Sequence, residues 1–127
     1  MTEMVRIGII GAGGIVRDRH LPGLSRIDSV EVIAVCNRTS ESTARIADAY
    51  GIRYRLEDWR EVIAHPEVNT VLIGTWPYLH RDASVAALQA GKPVFCQARM
   101  ARNASEARQM RNAQRASGLP AMLCPPP

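Results

Sequence analysis

Val5-Arg6-Ile7-Gly8-Ile9-Ile10-Gly11-Ala12-Gly13-Gly14-Ile15-Val16 is the segment from which the fold is read. A run rich in β-branched residues ends at Gly11, and a glycine-rich turn then leads into a helix-like segment, Gly14–Ser25, which Pro22 should break or kink. A strand that runs through such a turn into a helix is the first unit of a dinucleotide-binding sheet. Gly11 permits the tight turn, and Gly13 lets the backbone approach a pyrophosphate whose charge faces the helix N-terminus. Gly14 and Ile15 open the helix beside it. The third glycine position of the fingerprint holds Val16, so the motif is incomplete.

The rest of the chain repeats the alternation. Apolar runs at Val30–Cys36, Arg53–Arg55, Thr70–Gly74, Pro93–Cys96 and Ala121–Cys124 read as strands, the one at Arg53–Arg55 being weak. Between them lie helical segments. One runs from Ser40 to Tyr50, with Glu41 in its first turn and Gly51 as its stop. One carries the stripe Trp59, Val62, Ile63 and ends at His65-Pro66. One carries Leu79, Ala83, Ala86, Ala87 and Ala90 and stops at Gly91. The last is Ala104–Ser117, followed by Gly118. Six short apolar strands alternating with five helices predict an α/β domain over residues 1–124, a doubly wound six-stranded parallel sheet covered on both faces. The final Pro125-Pro126-Pro127 reads as the start of a linker.

Composition bounds the function. The chain has 127 residues, 46% of them hydrophobic, enough for a core but with little room for two domains. No apolar run approaches the roughly 18 residues of a membrane span. Met1-Thr2-Glu3-Met4 lacks the basic start of a secretory signal. Cys36, Cys96 and Cys124 are too few and too scattered for a disulfide framework or a zinc site, so no metal is expected and a reducing cytoplasm is the natural setting. The net charge is +4, and 15 of the 16 basic residues are Arg. Arg108, Arg111 and Arg115 share a helix face but have no interleaved aromatics, which argues against nucleic acid.

The end of the second strand sets the cofactor preference. An acidic residue there would hold the ribose hydroxyls of NAD. The chain reads Cys36-Asn37-Arg38-Thr39-Ser40 instead. With no carboxylate to repel a 2′-phosphate, with Arg38 to pair with one and with Thr39 or Ser40 to donate to it, NADP is expected over NAD.

Several further stretches occur in order: His20-Leu21-Pro22-Gly23-Leu24, Val35-Cys36-Asn37-Arg38, Tyr50-Gly51, Pro66-Glu67-Val68, Thr75-Trp76-Pro77-Tyr78-Leu79-His80 and Ala90-Gly91-Lys92-Pro93-Val94. With the Gly11 turn they make the chain resemble the N-terminal domain of the glucose-fructose oxidoreductase / inositol dehydrogenase (Gfo/Idh/MocA) family, over essentially its whole length. The resemblance implies a Rossmann fold and an NAD(P)-dependent oxidoreductase acting on sugars, polyols or related small molecules. It also implies a C-terminal domain that supplies the substrate pocket, so the 127 residues read as part of a longer protein, inactive alone. Thr75, Trp76, Pro77 and His80 are carried over as cofactor contacts. The chain departs from the family after the fifth strand. Where the family reads Glu-Lys-Pro, with its lysine in the active site, this chain has Gln97-Ala98-Arg99. Gln97 and Arg99 are kept as candidate contacts, Arg99 for an anionic group or the carboxamide, and no catalytic residue is assigned. Loss of the lysine also fits a non-catalytic module that binds or senses a dinucleotide. A methyl-transfer enzyme using S-adenosylmethionine has a similar first turn, but the matches after position 66 argue against it. Substrate and self-association stay open.

Overall fold

The computed structural model describes residues 4–124; residues 1–3 and the Pro125–Pro127 run expected to begin a linker lie outside the described residues. The strands are β1 (Val5–Ile10), β2 (Val30–Cys36), β3 (Tyr54–Arg55), β4 (Thr70–Ile73), β5 (Val94–Gln97) and β6 (Ala121–Cys124). They form one parallel sheet in the order β3-β2-β1-β4-β5-β6. Boundaries move by one residue from the expected ones: Arg53 and Gly74 fall outside their strands, and β5 starts and ends one residue later.

The first helix, α1, is composite. A π-helical stretch, Val16–His20, continues into the α-helical turn Leu21–Leu24. Leu21 N–H bonds back to Val16 O, five residues earlier. Pro22 has no N–H to offer Asp18, and its ring would meet that carbonyl in a regular helix. The widened turn takes up the conflict, so the helix neither stops nor breaks at the proline. The other helices are α2 (Ser40–Tyr50), α3 (Trp59–Ala64), α4 (His80–Gln89) and α5 (Ala104–Ser117). Thr39 caps α2 in a reciprocal pair with Ser42, and Gly51 closes it at φ 66°. Asp58 caps α3 in the same manner with Glu61. No helix among the described residues is long and apolar enough to cross a membrane.

Alternation along the strands divides the core. Ile7, Ile9, Val35 and Leu72 pack with Val16, Leu21, Ile46 and Ala47 of α1 and α2. Ile10, Ile33, Val71, Ile73, Val94 and Cys96 pack with Val62, Ala83, Ala87, Leu88 and Met110 of α3, α4 and α5. Gly8 is small because of this second layer: a Cβ there would lie 2.5 Å from Val62 Cγ1. Lys92 is fully accounted for at the sheet's other end. Its ammonium donates to the carbonyls of Ile63 and His65, closing the end of α3 far from the Gly11 turn.

The start of α5 carries a charge lock. Asn103 Oδ1 accepts from Glu106 N–H at 2.9 Å, and the buried Glu106 carboxylate accepts from Arg102 N–H at 3.0 Å and from its guanidinium at 2.6 Å. The Arg102 side chain first, then its backbone N–H, hold the Glu106 carboxyl down at about 2, from 4.5. A depressed carboxyl contributes stability above its unfolded value and loses it as pH falls. The α5 cap should therefore be intact at neutral pH and loosen only as pH drops from about 4.5 toward about 2. A carboxyl NMR titration of Glu106 reads this directly, and a midpoint near 4.5 would show that the lock does not form.

Candidate functional site

The strand order reverses between β1 and β4, and the open crevice of such a sheet lies at the strands' C-terminal ends at that point. The chain has a cleft of about 550 Å³ there, lined by Ile10, Gly11, Gly13, Cys36, Asn37, Arg38, Gly74, Thr75, Trp76, Tyr78 and Leu79, and on the β3 side by Glu57, Asp58 and Trp59.

Its floor is the Gly11 turn. Gly11 has φ 83°, and its N–H donates to Cys36 O at 2.8 Å, while Gly74 N–H donates to Ile10 O at 2.8 Å. A Cβ at Gly11 would lie 2.8 Å from Thr75 N. A Cβ at Gly74 would lie 2.4 Å from Gly11 O and 2.5 Å from Val16 Cγ2. Val16 at the third fingerprint position is thus explained. The close helix-to-strand approach that a glycine there usually provides is provided instead by Gly74 opposite it. Gly13 is different. A Cβ there would meet only Gly74 O, at 3.8 Å. Nothing in the fold requires a glycine at 13, but a pyrophosphate against the turn would occupy that space. Gly14 and Ile15 follow at the start of α1, Ile15 being exposed, and the first N–H groups of a helix have no partner within it. The residues fit a dinucleotide.

Asn37 braces the turn: its Oδ1 accepts from Ala12 N–H at 3.2 Å, and its own N–H donates to Thr43 Oγ1 at 2.9 Å. Arg38 is exposed on the cleft wall, and its guanidinium has no hydrogen bond or ion pair among the described residues. Two expectations at this end need correction. Carboxylates are present: Glu57 and Asp58 line the same cleft, because β3 pairs beside β2 and brings its following loop next to Arg38. The hydroxyls of Thr39 and Ser40 are already engaged, Thr39 in the α2 cap and Ser40 as a donor to Glu57 Oε1 at 3.1 Å. Asp58 is engaged too, as the α3 cap and in an ion pair with Arg60 at 3.3 Å. The carboxylates have partners; Arg38 does not.

The loop after β4 presents Trp76 (75% exposed) and Tyr78 (56% exposed) at the cleft. Pro77 starts the short turn that leads to α4, outside the cleft lining. His80 is fully buried and does not line the cleft. Both its ring nitrogens face backbone carbonyls, Nδ1 at 2.6 Å from Arg99 O and Nε2 at 2.9 Å from Thr75 O. It ties the β4 loop to the β5 loop. Gln97 is likewise turned inward, its Oε1 2.7 Å from His20 Nε2 on α1. The Ala98–Arg99 peptide is cis. The Arg99 side chain is exposed, without a polar partner among the described residues. Six of the twelve expected residues (Gly11, Gly13, Asn37, Arg38, Thr75 and Trp76) therefore meet on one cleft. Gly14, Ile15, Pro77, His80, Gln97 and Arg99 flank or support it.

Glu57, Asp58, Trp59 and Tyr78 are cleft residues that the sequence reading did not select. The strand order of such a sheet was a signal for the first three, since it places the end of β3 next to the end of β2. Cys36 and Cys96 stay as thiols. Burial pushes Cys36 up to about 11 and Cys96 up to about 12, far above the range of an activated nucleophile.

Residues 5–123 match the Gfo/Idh/MocA family model, described as an oxidoreductase family with an NAD-binding Rossmann fold. The chain belongs to this family. It is 30% identical over 119 residues to 4-carboxy-2-hydroxymuconate-6-semialdehyde dehydrogenase of Sphingobium sp., covering 94% of the chain and 38% of that protein. It is 34% identical to 1,5-anhydro-D-fructose reductase of Ensifer adhaerens, covering 91% and 34%. Among solved structures, biliverdin reductase from Synechocystis sp. in complex with biliverdin and NADP+ superposes with a TM-score of 0.87 at 28% identity, over 94% of the chain and 37% of that one. A 3-ketoreductase from Actinomadura kijaniata, in complex with TDP-benzene and NADP, superposes with a TM-score of 0.88 at 26% identity, over 95% and 38%. The chain spans between a third and two fifths of the length of these relatives. It is an NAD(P)-binding Rossmann domain of this oxidoreductase family.

Proposed function

We propose that the domain binds NADP(H) in preference to NAD(H), and that it serves a cytoplasmic oxidoreductase acting on a sugar, a polyol or a related small molecule. The observation that carries the cofactor choice is Arg38: an unpartnered guanidinium on the wall of the cleft whose floor is the Gly11 turn. A 2′-phosphate at that wall gains a charge-assisted, two-pronged partner. Glu57 and Asp58 are held by Ser40 and Arg60, so the nearby negative charge is partly spent before the cofactor arrives. The NADP complexes among the similar structures support the same reading.

When bound, the nicotinamide supplies a hydride donor or acceptor, exchanged with a carbon bearing oxygen. The chain's own residues bind and orient. Gly11 makes the tight turn, Gly13 leaves room for the pyrophosphate, Asn37 holds the turn in shape, and His80 fixes the Thr75 loop against the β5 loop. Ala98 stands where the family has its lysine, so the proton that accompanies hydride transfer must be handled by another group. A guanidinium keeps its proton in proteins and is a poor proton donor; Arg99 suits anchoring of an anionic group or the carboxamide.

The test is a pair of calorimetric titrations on the parent and on Arg38→Ala. A charge-assisted hydrogen bond is worth about 1.5–3 kcal/mol, so NADP(H) affinity should fall roughly 10- to 150-fold while NAD(H) affinity stays within about twofold. Equal loss for both cofactors, or no loss, would remove Arg38 from the 2′-phosphate site.

A further inference from the structure

Two opposite charges line the cofactor cleft without meeting. Arg38 follows β2 and Glu57 follows β3, and the pairing of these strands sets both residues on one wall, at the edge of the sheet opposite β6. Among the described residues Arg38 has no anionic partner, Glu57 has no cationic partner, and the two form no ion pair with each other.

Asp58, the next residue, is different. Its Oδ1 accepts from Arg60 N–H at 2.8 Å, and both its carboxylate oxygens lie 3.3 Å from the Arg60 guanidinium. Glu57 has one contact: its Oε1 accepts from the Ser40 hydroxyl at 3.1 Å. Ser40 is the first residue of α2, so this bond pins the carboxylate between α2 and the end of β3. A neutral hydroxyl orients a carboxylate but does not cancel its charge. Glu57 is therefore left with uncompensated negative charge and with Oε2 unpartnered among the described residues.

We propose that Glu57 sets the cleft's discrimination between the two nicotinamide cofactors: its Oε2 accepts the adenosine-ribose 2′-hydroxyl of NAD(H), and its charge opposes the 2′-phosphate that Arg38 attracts. The proposal rests on the reading of this cleft as a dinucleotide site. In such sheets an acidic residue near the end of β2 holds the ribose hydroxyl. Here Asn37-Arg38 fills that place, and a carboxylate reaches the same wall from 19 positions further along the chain. Discrimination uses a repulsive element as well as an attractive one. NAD(H) offers Glu57 a donor and no like charge. NADP(H) lacks that hydroxyl and sets its phosphate between Arg38 and a like charge. The domain accordingly binds both cofactors, with a smaller preference for NADP(H) than Arg38 alone would give.

Calorimetric titration of NAD+ and NADP+ into the 127-residue chain and its Glu57→Gln variant tests this. The variant keeps an acceptor for Ser40 and loses the charge. NAD+ affinity should fall about 5- to 10-fold and NADP+ affinity should rise about 2- to 5-fold, because a hydrogen bond to a charged acceptor is about twice as strong as a neutral one and the like-charge repulsion is gone. Glu57→Lys should move each cofactor further in the same direction. Glu41→Gln, an exposed carboxylate in the first turn of α2 outside the cleft lining, should leave both within twofold. A merely structural role for Glu57 would weaken both cofactors together. The proposal is overturned if Glu57→Gln leaves NAD+ binding unchanged, or if both affinities move the same way. The Arg38 assignment fails separately: Arg38→Ala would leave NADP+ unchanged while Glu57→Gln still moved the two cofactors apart, which would support the role of Glu57. No binding of either cofactor by the parent chain would overturn both.

Discussion

Gly13→Val should abolish dinucleotide binding and leave the fold standing. A Cβ at Gly13 meets nothing closer than Gly74 O at 3.8 Å, an ordinary contact, and Gly13 is not among the glycines with a positive φ. The substitution therefore introduces no backbone strain. The added carbons stand instead where the pyrophosphate must approach the turn, and they separate it from the first N–H groups of α1. Losing two or more charge-assisted hydrogen bonds at about 1.5–3 kcal/mol each corresponds to at least about a 100-fold loss of affinity. Circular dichroism and thermal melting should match the parent, while calorimetry with NADPH should give no measurable heat. A folded variant that binds as well as the parent would reduce the glycine pair to a turn.

Gly74→Ala should do the reverse, damaging the fold first. Its Cβ would lie 2.4 Å from the carbonyl oxygen of Gly11 and 2.5 Å from Val16 Cγ2. One of these neighbours is backbone in a turn held by hydrogen bonds from Gly11 N–H to Cys36 O and from Gly74 N–H to Ile10 O, and the other is a buried core side chain. Neither can yield cheaply. Overpacking costs typically about 1–3 kcal/mol and sometimes more, and the two contacts together place this variant near 3 kcal/mol. For a chain of this size that lowers Tm by about 10 °C. Gly14→Ala is the matched control, since a Cβ there has open space. A Gly74→Ala melt within a degree or two of the parent would show that β4 and the Gly11 turn are not packed as described.

The contrast between these glycines explains what could be read in the sequence. The sheet was legible because β1, β4, β5 and β6 are apolar runs bounded by Gly or Pro, because β2 is an apolar run set between Ser29 and Asn37, and because six strands separated by helix-like stripes admit few arrangements. The cleft's floor was legible for the same reason. The compensation between Val16 and Gly74 was not, because it joins residues 58 positions apart across two strands. Pro22 announced a disturbed helix, but a widened π-helical turn rather than a break depends on how the ring meets the Asp18 carbonyl, which spacing does not encode. His80 carried a binding-residue signature in its motif, yet its ring is consumed by two carbonyls that only the packed loops bring together. Glu57 and Asp58 sit 19 and 20 residues beyond Arg38 and became neighbours of it through strand order alone.

The central claim is that the cleft holds NADP with its 2′-phosphate on Arg38. A crystal structure of the chain grown with NADP+ tests it most directly. The account predicts the pyrophosphate over Gly11 and Gly13 at the start of α1, and the 2′-phosphate within hydrogen-bond distance of the Arg38 guanidinium. A cofactor whose 2′-phosphate faces solvent, with Arg38 turned away and its ribose hydroxyls held by Glu57 or Asp58, would contradict it.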